Sequence, residues 1–171
     1  MKVEYEKTFL IAPIEYSRII KIVSYVRFLE QYYTHISDVD EEKYLKITNI
    51  QTKQIILKYS IKKTVNGQRY EDKKTVPVEE FQKNKHRQIG VDIIRKLYEY
   101  QNIGFFVWIK PFENFMSAEV EFDSQEEMDR FVFPFKAIDV TQYDWFRSKR
   151  IALDPEQTML EVKALFQKQI S

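Results

Sequence analysis

Val3-Glu4-Tyr5-Glu6-Lys7-Thr8-Phe9-Leu10 opens the chain with a period of two. Side chains of a β-strand point to alternate faces, so Glu4, Glu6 and Thr8 share one side while Val3, Tyr5 and Phe9 share the other. Two carboxylates on one face repel each other unless a cation sits between them. The pattern returns late in the chain, in Ser117-Ala118-Glu119-Val120-Glu121-Phe122-Asp123, where Glu119 and Glu121 share a face against Ala118, Val120 and Phe122. Two Glu-x-Glu strands, one near each end, suggest a site of oxygen ligands. The sequence between them is expected to build the barrel that brings them together.

Working outward, Pro13 suits the opening of a helix. Ile14, Ile19, Ile20, Val23, Val26, Phe28 and Leu29 recur at roughly helical spacing, which predicts an amphipathic helix through about His35. From Lys43 to Val78 the period becomes two. One strand covers Tyr44 to Thr48, with Lys46 and Thr48 on one face. A second covers Gln54 to Lys63, with Lys58, Ser60 and Lys62 together. Val65-Asn66-Gly67-Gln68 is a hairpin turn leading into Arg69-Tyr70-Glu71-Asp72-Lys73, where Arg69, Glu71 and Lys73 share a face. A short helix and loop follow between Pro77 and Gln88, then strands at Asp92 to Tyr100 and Phe105 to Lys110. Ser124 caps a short helix with Glu126 and Glu127 in its first turn. Asp139 to Thr141 reads as a last strand, and Asp154-Pro155-Glu156 opens a terminal helix.

The 171 residues fit one domain, 1–171, with enough apolar residues (44%) for a real core. A net charge of +1 gives no electrostatic case for extended nucleic acid or a membrane as partner. No cysteine means no disulfide, no thiolate nucleophile and no Cys-ligated zinc, and the two histidines, His35 and His86, are too few for a His-rich metal site. The absence of an N-terminal apolar run points to an intracellular, cytoplasmic protein. Three glycines provide neither a Walker loop nor a dinucleotide-binding turn, so phosphate would have to be held by side chains.

Lys46, Lys58, Lys62, Arg69 and Arg95 along a tunnel, with Glu4, Glu6, Glu119 and Glu121 nearby, suit a phosphate chain. Carboxylates do not touch phosphate themselves, but they can hold Mg²⁺ or Mn²⁺ that bridges to it. Metal-assisted phosphoryl transfer is the reaction class these residues leave open.

Glu4-Tyr5-Glu6-Lys7-Thr8-Phe9-Leu10-Ile11 resembles the opening strand of the CYTH family, the triphosphate tunnel metalloenzymes. Ala118 to Glu127 followed by Phe131 resembles that family's late strand and helix, and Val140-Thr141, Arg147 and Ile151-Ala152 resemble its closing segment. The resemblance implies an α+β fold, an eight-stranded antiparallel barrel with a charged tunnel and helices outside. It implies a phosphorylated small-molecule partner: family members hydrolyse tripolyphosphate, thiamine triphosphate or nucleoside triphosphates, act on RNA 5′ triphosphates or cyclise ATP. They depend on Mg²⁺ or Mn²⁺. By position, Glu4, Glu6, Glu119 and Glu121 would be metal-side carboxylates, with Glu119 and Glu121 catalytic, while Lys46, Lys62, Arg69 and Arg147 would contact phosphate.

Several positions depart from the family pattern. Thr8 stands where the family has lysine, Lys46-Ile47-Thr48 replaces Arg-x-Arg, and Lys73 replaces the last acid of Arg-x-Glu-x-Glu. Phe105, Phe106 and Trp108 precede the late strand where acids are usual, which suggests Trp108 as a stacking platform for a ring. Three readings follow: an active triphosphatase with altered preference, a module that captures a phosphorylated ligand without efficient turnover, and a barrel repurposed for protein contacts.

Overall fold

The computed structural model describes residues 1–170. Ten antiparallel strands form one sheet: β1 (Lys2–Val3), β2 (Tyr5–Ile11), β3 (Ser24–Ile36), β4 (Asp40–Asn49), β5 (Ile55–Val65), β6 (Gln68–Thr75), β7 (Ile89–Tyr100), β8 (Ile103–Lys110), β9 (Met116–Phe122) and β10 (Ala137–Asp139). Their order is β1-β6-β5-β4-β3-β7-β8-β9-β2-β10. Only Glu4 separates β1 from β2, yet Val3 pairs with Tyr70 of β6 while Tyr5 pairs with Phe122 of β9. The Glu4 N–H donates to the Arg69 carbonyl at 3.0 Å, carrying the β6 pairing one residue further. The first strand therefore meets both ends of the row, and the sheet curls round onto it. With β1 and β2 taken as one strand, this is the expected α+β architecture. Short β10 adds to the free edge of β2 through Ile11, Leu10 and Phe9.

The main correction falls on residues 13–35. Helix α1 covers only Tyr16–Ile20, and Ser24–Ile36 is a strand paired along its length with both β4 and β7. Tyr25, Val26, Phe28, Tyr32, Tyr33 and Thr34 are β-formers, and their packing on both faces outweighs the helical spacing. Leu29 and Tyr33 join one buried cluster and Tyr32 another, so this strand has no solvated face whose polarity would reveal its period.

The last strand lies at Ala137–Asp139, sharing only Asp139 with the expected Asp139 to Thr141, while the turns and caps elsewhere agree with the local sequence. Asn66 and Gly67 both have positive φ (52° and 77°), the twist that a tight hairpin between β5 and β6 needs. Helix α2 (Val78–Lys83) runs into a 3-10 turn at Asn84–Arg87, with His86 exposed. Helix α3 (Gln125–Arg130) is capped by Ser124 Oγ, which accepts from the Glu127 N–H at 3.2 Å. Helices α4 (Ser148–Leu153) and α5 (Pro155–Ile170) bring Ile151, Ala152 and Val162 into a cluster with Leu10, Leu29, Leu97 and Trp108. Gly90 admits α4 closely: a Cβ there would lie 2.2 Å from the Ala152 carbonyl oxygen. No helix among the described residues is long and apolar enough to cross a membrane.

Candidate functional site

Alternation along the strands sorts the side chains. Inward positions of β2 carry Glu6 and Thr8, opposite Glu121 and Glu119 of β9 in register. On β4, Glu41 and Lys43 stand opposite Lys62 and Ser60 of β5, and Lys62 stands opposite Glu71 of β6. These residues, with Glu4, Tyr33, Arg69 and Arg95, surround a cavity of about 330 Å³, although Ser60, Glu71 and Glu121 do not themselves line it. The segment Val140–Ser148 forms another part of its wall and supplies Arg147.

Three of the cations here, Lys62, Arg69 and Arg95, are tied to carboxylates. Lys62 Nζ lies 3.0 Å from Glu4 Oε2 and 3.3 Å from Glu71 Oε2. Arg69 reaches Glu41 at 3.4 Å and Glu4 at 4.0 Å. Arg95 lies 3.7 Å from Glu119 and donates to Gln31 Oε1 at 3.0 Å, with its guanidinium 4.3 Å from the centre of the Phe106 ring and 5.1 Å from that of Trp108.

Burial and charge shift the titrations in opposite directions. Burial works to raise Glu4, but attraction by Lys62 and Arg69 outweighs it and holds this carboxyl below its usual range. Glu6 has no such partner within 4 Å among the described residues: burial and then repulsion from Glu119 push it up to about 8. Burial and then repulsion from Lys62 bring Lys43 down to about 8. Burial opposes the ionised form of Glu71 too, but Lys62 and Lys73 lower it to about 2. Burial and then Arg69 lower Arg147.

Of the residues expected at the site, Glu4, Glu6, Glu119, Lys62, Arg69, Arg95 and Arg147 line this one cavity. The others do not. Lys46 is on the outer face of β4, 3.8 Å from Glu30 and substantially exposed, and Lys43 takes the inward place assigned to it. Lys58 shares a face with Ser60 and Lys62 but is not part of the wall. Glu121 is exposed and lines a neighbouring cavity of about 380 Å³ with Glu4, Glu71 and Lys73. Trp108 is no stacking platform: it is 3% exposed, and its indole N–H donates to Ser117 Oγ at 2.9 Å. Sequence reasoning missed Glu41, Lys43, Gln31 and Tyr33. The first two lie before the expected start of their strand, and the other two lie in the segment misread as helix. Extending the period-two pattern back to Asp40 would have found Glu41 and Lys43.

Oxygen ligands of this kind suit Mg²⁺ or Mn²⁺. Among the described residues no three acidic or histidine side chains converge closely enough to hold a metal unaided. The pair Glu6 and Glu119 still fits a hard cation that takes its remaining ligands from phosphate and water, because their mutual repulsion is what such a cation would relieve.

No protein-family model and no curated protein matches the chain. Solved structures do. An inorganic triphosphatase, NE1496, aligns over 90% of this chain and 96% of its own at 20% identity and a TM-score of 0.52. Another structure of NE1496 gives 0.54, over 88% and 97% at 20% identity. The PH1819 protein of Pyrococcus horikoshii OT3 aligns over 74% of this chain and 82% of its own at 11% identity and a TM-score of 0.53. At such identities the likeness concerns the fold, and the fold of this chain is CYTH-like.

Proposed function

We propose that the cavity holds the phosphate chain of a triphosphate-bearing small molecule and that the protein hydrolyses it with Mg²⁺ or Mn²⁺. The observation that carries this reading is Lys43. It is 8% exposed, has no carboxylate within 4 Å among the described residues, and is repelled by Lys62 and, less strongly, by Arg95, against attraction from Glu41 and Glu71. Three cations that line one cavity and repel one another are stabilised by an anion among them. A phosphate chain supplies one, and the fold shared with an inorganic triphosphatase supports the same ligand chemistry.

The division of labour follows from the geometry. Lys43 contacts phosphate directly, while Lys62 and Arg69, held by Glu4, Glu41 and Glu71, present positive charge in fixed positions. Arg147 closes the cavity from the Val140–Ser148 side. Glu4 is committed to Lys62 and Arg69, which leaves Glu6 and Glu119 as the residues that would hold the metal. Bound there, Mg²⁺ or Mn²⁺ would polarise a phosphoryl oxygen and orient a water for attack.

Capture without turnover is the second reading, favoured by the lack, among the described residues, of three converging carboxylates. The reading of a barrel repurposed for protein contacts loses its basis, because Phe105, Phe106 and Trp108 are all buried.

Calorimetric titration with tripolyphosphate and with ATP, each with and without Mg²⁺ or Mn²⁺, tests the proposal. Metal-dependent continuing heat, abolished in Glu119→Gln while binding persists, is the expected result. Saturable heat without turnover selects the second reading. A Glu119→Gln variant that binds and turns over like the wild type sinks the metal assignment, and no heat from either ligand sinks the proposal.

A further inference from the structure

Behind the cavity wall stands a buried amide with no place in the division of labour above. Gln31 of β3 is 3% exposed and lies opposite Leu45 of β4 and Ile93 of β7. It does not line the cavity itself. Methionine or leucine would pack between those apolar neighbours with less to desolvate, so the reason for an amide here lies in what it holds.

It holds Arg95. Arg95 stands opposite Leu29, two places along β3 from Gln31, so the two side chains are diagonal neighbours across the pair of strands. Arg95 Nη2 donates to Gln31 Oε1 at 3.0 Å, and Gln31 Nε2 donates to the Tyr33 hydroxyl at 3.5 Å. A guanidinium only donates, so it fixes which end of the amide faces it. Arg95 is 6% exposed, lines the cavity with Tyr33 and Glu119, and rests against the Phe106 and Trp108 rings.

This contact differs in kind from those of the neighbouring cations. Lys62 and Arg69 each reach two carboxylates within 4.0 Å, which cancel much of their charge. Arg95 has one, Glu119 at 3.7 Å, and its only hydrogen bond among the described residues goes to the neutral amide. Its Nε is buried without a partner among them. The aromatic rings favour a cation but do not neutralise it. Arg95 is therefore held in place with charge and a donor still to offer, which is what an anion in the cavity draws on.

We propose, building on the triphosphate reading above, that Gln31 is a positioning residue for the phosphate chain: its amide oxygen aims the Arg95 guanidinium at the cavity without cancelling its charge. A carboxylate at position 31 would hold Arg95 and neutralise it. An apolar side chain would leave it free to turn onto Glu119.

The test measures dissociation constants of tripolyphosphate and ATP by calorimetry, in EDTA and again with Mg²⁺. The proteins are the wild type, Gln31→Met, Gln31→Glu, Arg95→Met and the double variant Gln31→Met with Arg95→Met. Gln31→Met should weaken binding roughly tenfold, in line with one hydrogen bond to a charged group, and Gln31→Glu at least as much. In the Arg95→Met background, Gln31→Met should change affinity less than about twofold, because the amide then has nothing to aim. Arg95→Gln serves as that background if Arg95→Met does not fold. A packing role for Gln31 predicts the opposite, a loss of the same size whether or not Arg95 is present. That result, or either single variant of Gln31 binding like the wild type, overturns the inference while leaving the triphosphate reading intact. A wild type that binds neither ligand removes both.

Discussion

Lys62 Nζ and Glu4 Oε2 lie 3.0 Å apart at the one residue where the first strand leaves β6 and joins β9. The contact is mostly shielded from water, with side-chain exposures of 15% and 12%. It therefore links the closure of the barrel to the charge inside it.

Breaking that contact from one side should be costly, because the remaining charge stays buried. Glu4→Ala is expected to lower stability by roughly 2 kcal/mol, because Lys62 keeps Glu71 at 3.3 Å. Lys62→Met should cost roughly 3 kcal/mol, because it deprives both carboxylates of their shared cation, with the double variant losing less than the sum. Denaturant unfolding of all four proteins gives the coupling directly. Additive losses would show that the two residues act independently.

Acid should loosen the fold through Glu71. Its carboxyl is lowered from 4.5 to about 2, with burial opposing and Lys62 and Lys73 prevailing, so the folded state favours the ionised form. Stability from this group is complete above about pH 4.5, its unfolded value, and is lost as pH falls through about 2. Glu71→Gln should flatten that part of the profile, measured as unfolding midpoints between pH 5 and pH 2. An unchanged slope would assign the acid sensitivity elsewhere.

Lys43 should behave in the opposite way. Lys43→Met removes a buried charge with no close carboxylate, so the melting temperature should hold or rise by a few degrees, about 2–4 °C per kcal/mol for a protein of this size. Affinity for tripolyphosphate or ATP should fall roughly ten- to a hundredfold, the value of a charged hydrogen bond to phosphate. A variant that melts lower and binds as before would make Lys43 a structural residue.

The parts of the site that could be read from sequence were those whose faces are fixed by local features. The Asn66-Gly67 turn sets the register of β5 and β6, which is why local sequence brings Lys62 and Arg69 to the same cavity wall. Glu6 and Glu119 follow from alternation within short strands whose other face is apolar apart from Lys7. Strand β4 is different because neither face is solvated in a simple way. Tyr44 packs outward with Tyr32 and Phe81 of α2, while Lys43 points inward to the cavity. Each face mixes charged and apolar residues, Glu42, Tyr44 and Lys46 outside and Glu41, Lys43, Leu45 and Ile47 inside, so hydrophobicity does not separate Lys43 from Lys46. Strand β3 misleads for a related reason: Ile19, Val23, Val26 and Leu29 fall at roughly helical intervals, although Val26, Phe28 and Leu29 lie on a strand, where the neighbours Phe28 and Leu29 face opposite ways. Arg147 came through resemblance alone, since only the tertiary path of the closing segment brings it to the cavity.

That the opening strand is the seam of the barrel has a consequence for the order of assembly. Its partners other than β6 are made long after it: the Thr8 N–H donates to Thr141 Oγ1, 133 positions along the chain. Hairpins such as β5 with β6 can form while synthesis continues, because they close short loops. The wall bearing Glu6 and Glu119 cannot, so the N-terminal ten residues must wait, unpaired on one edge, until β9 is made. A nascent chain stalled before β9 would hold a folded meander and no cavity. Ligand added during synthesis would then act only on the finishing step.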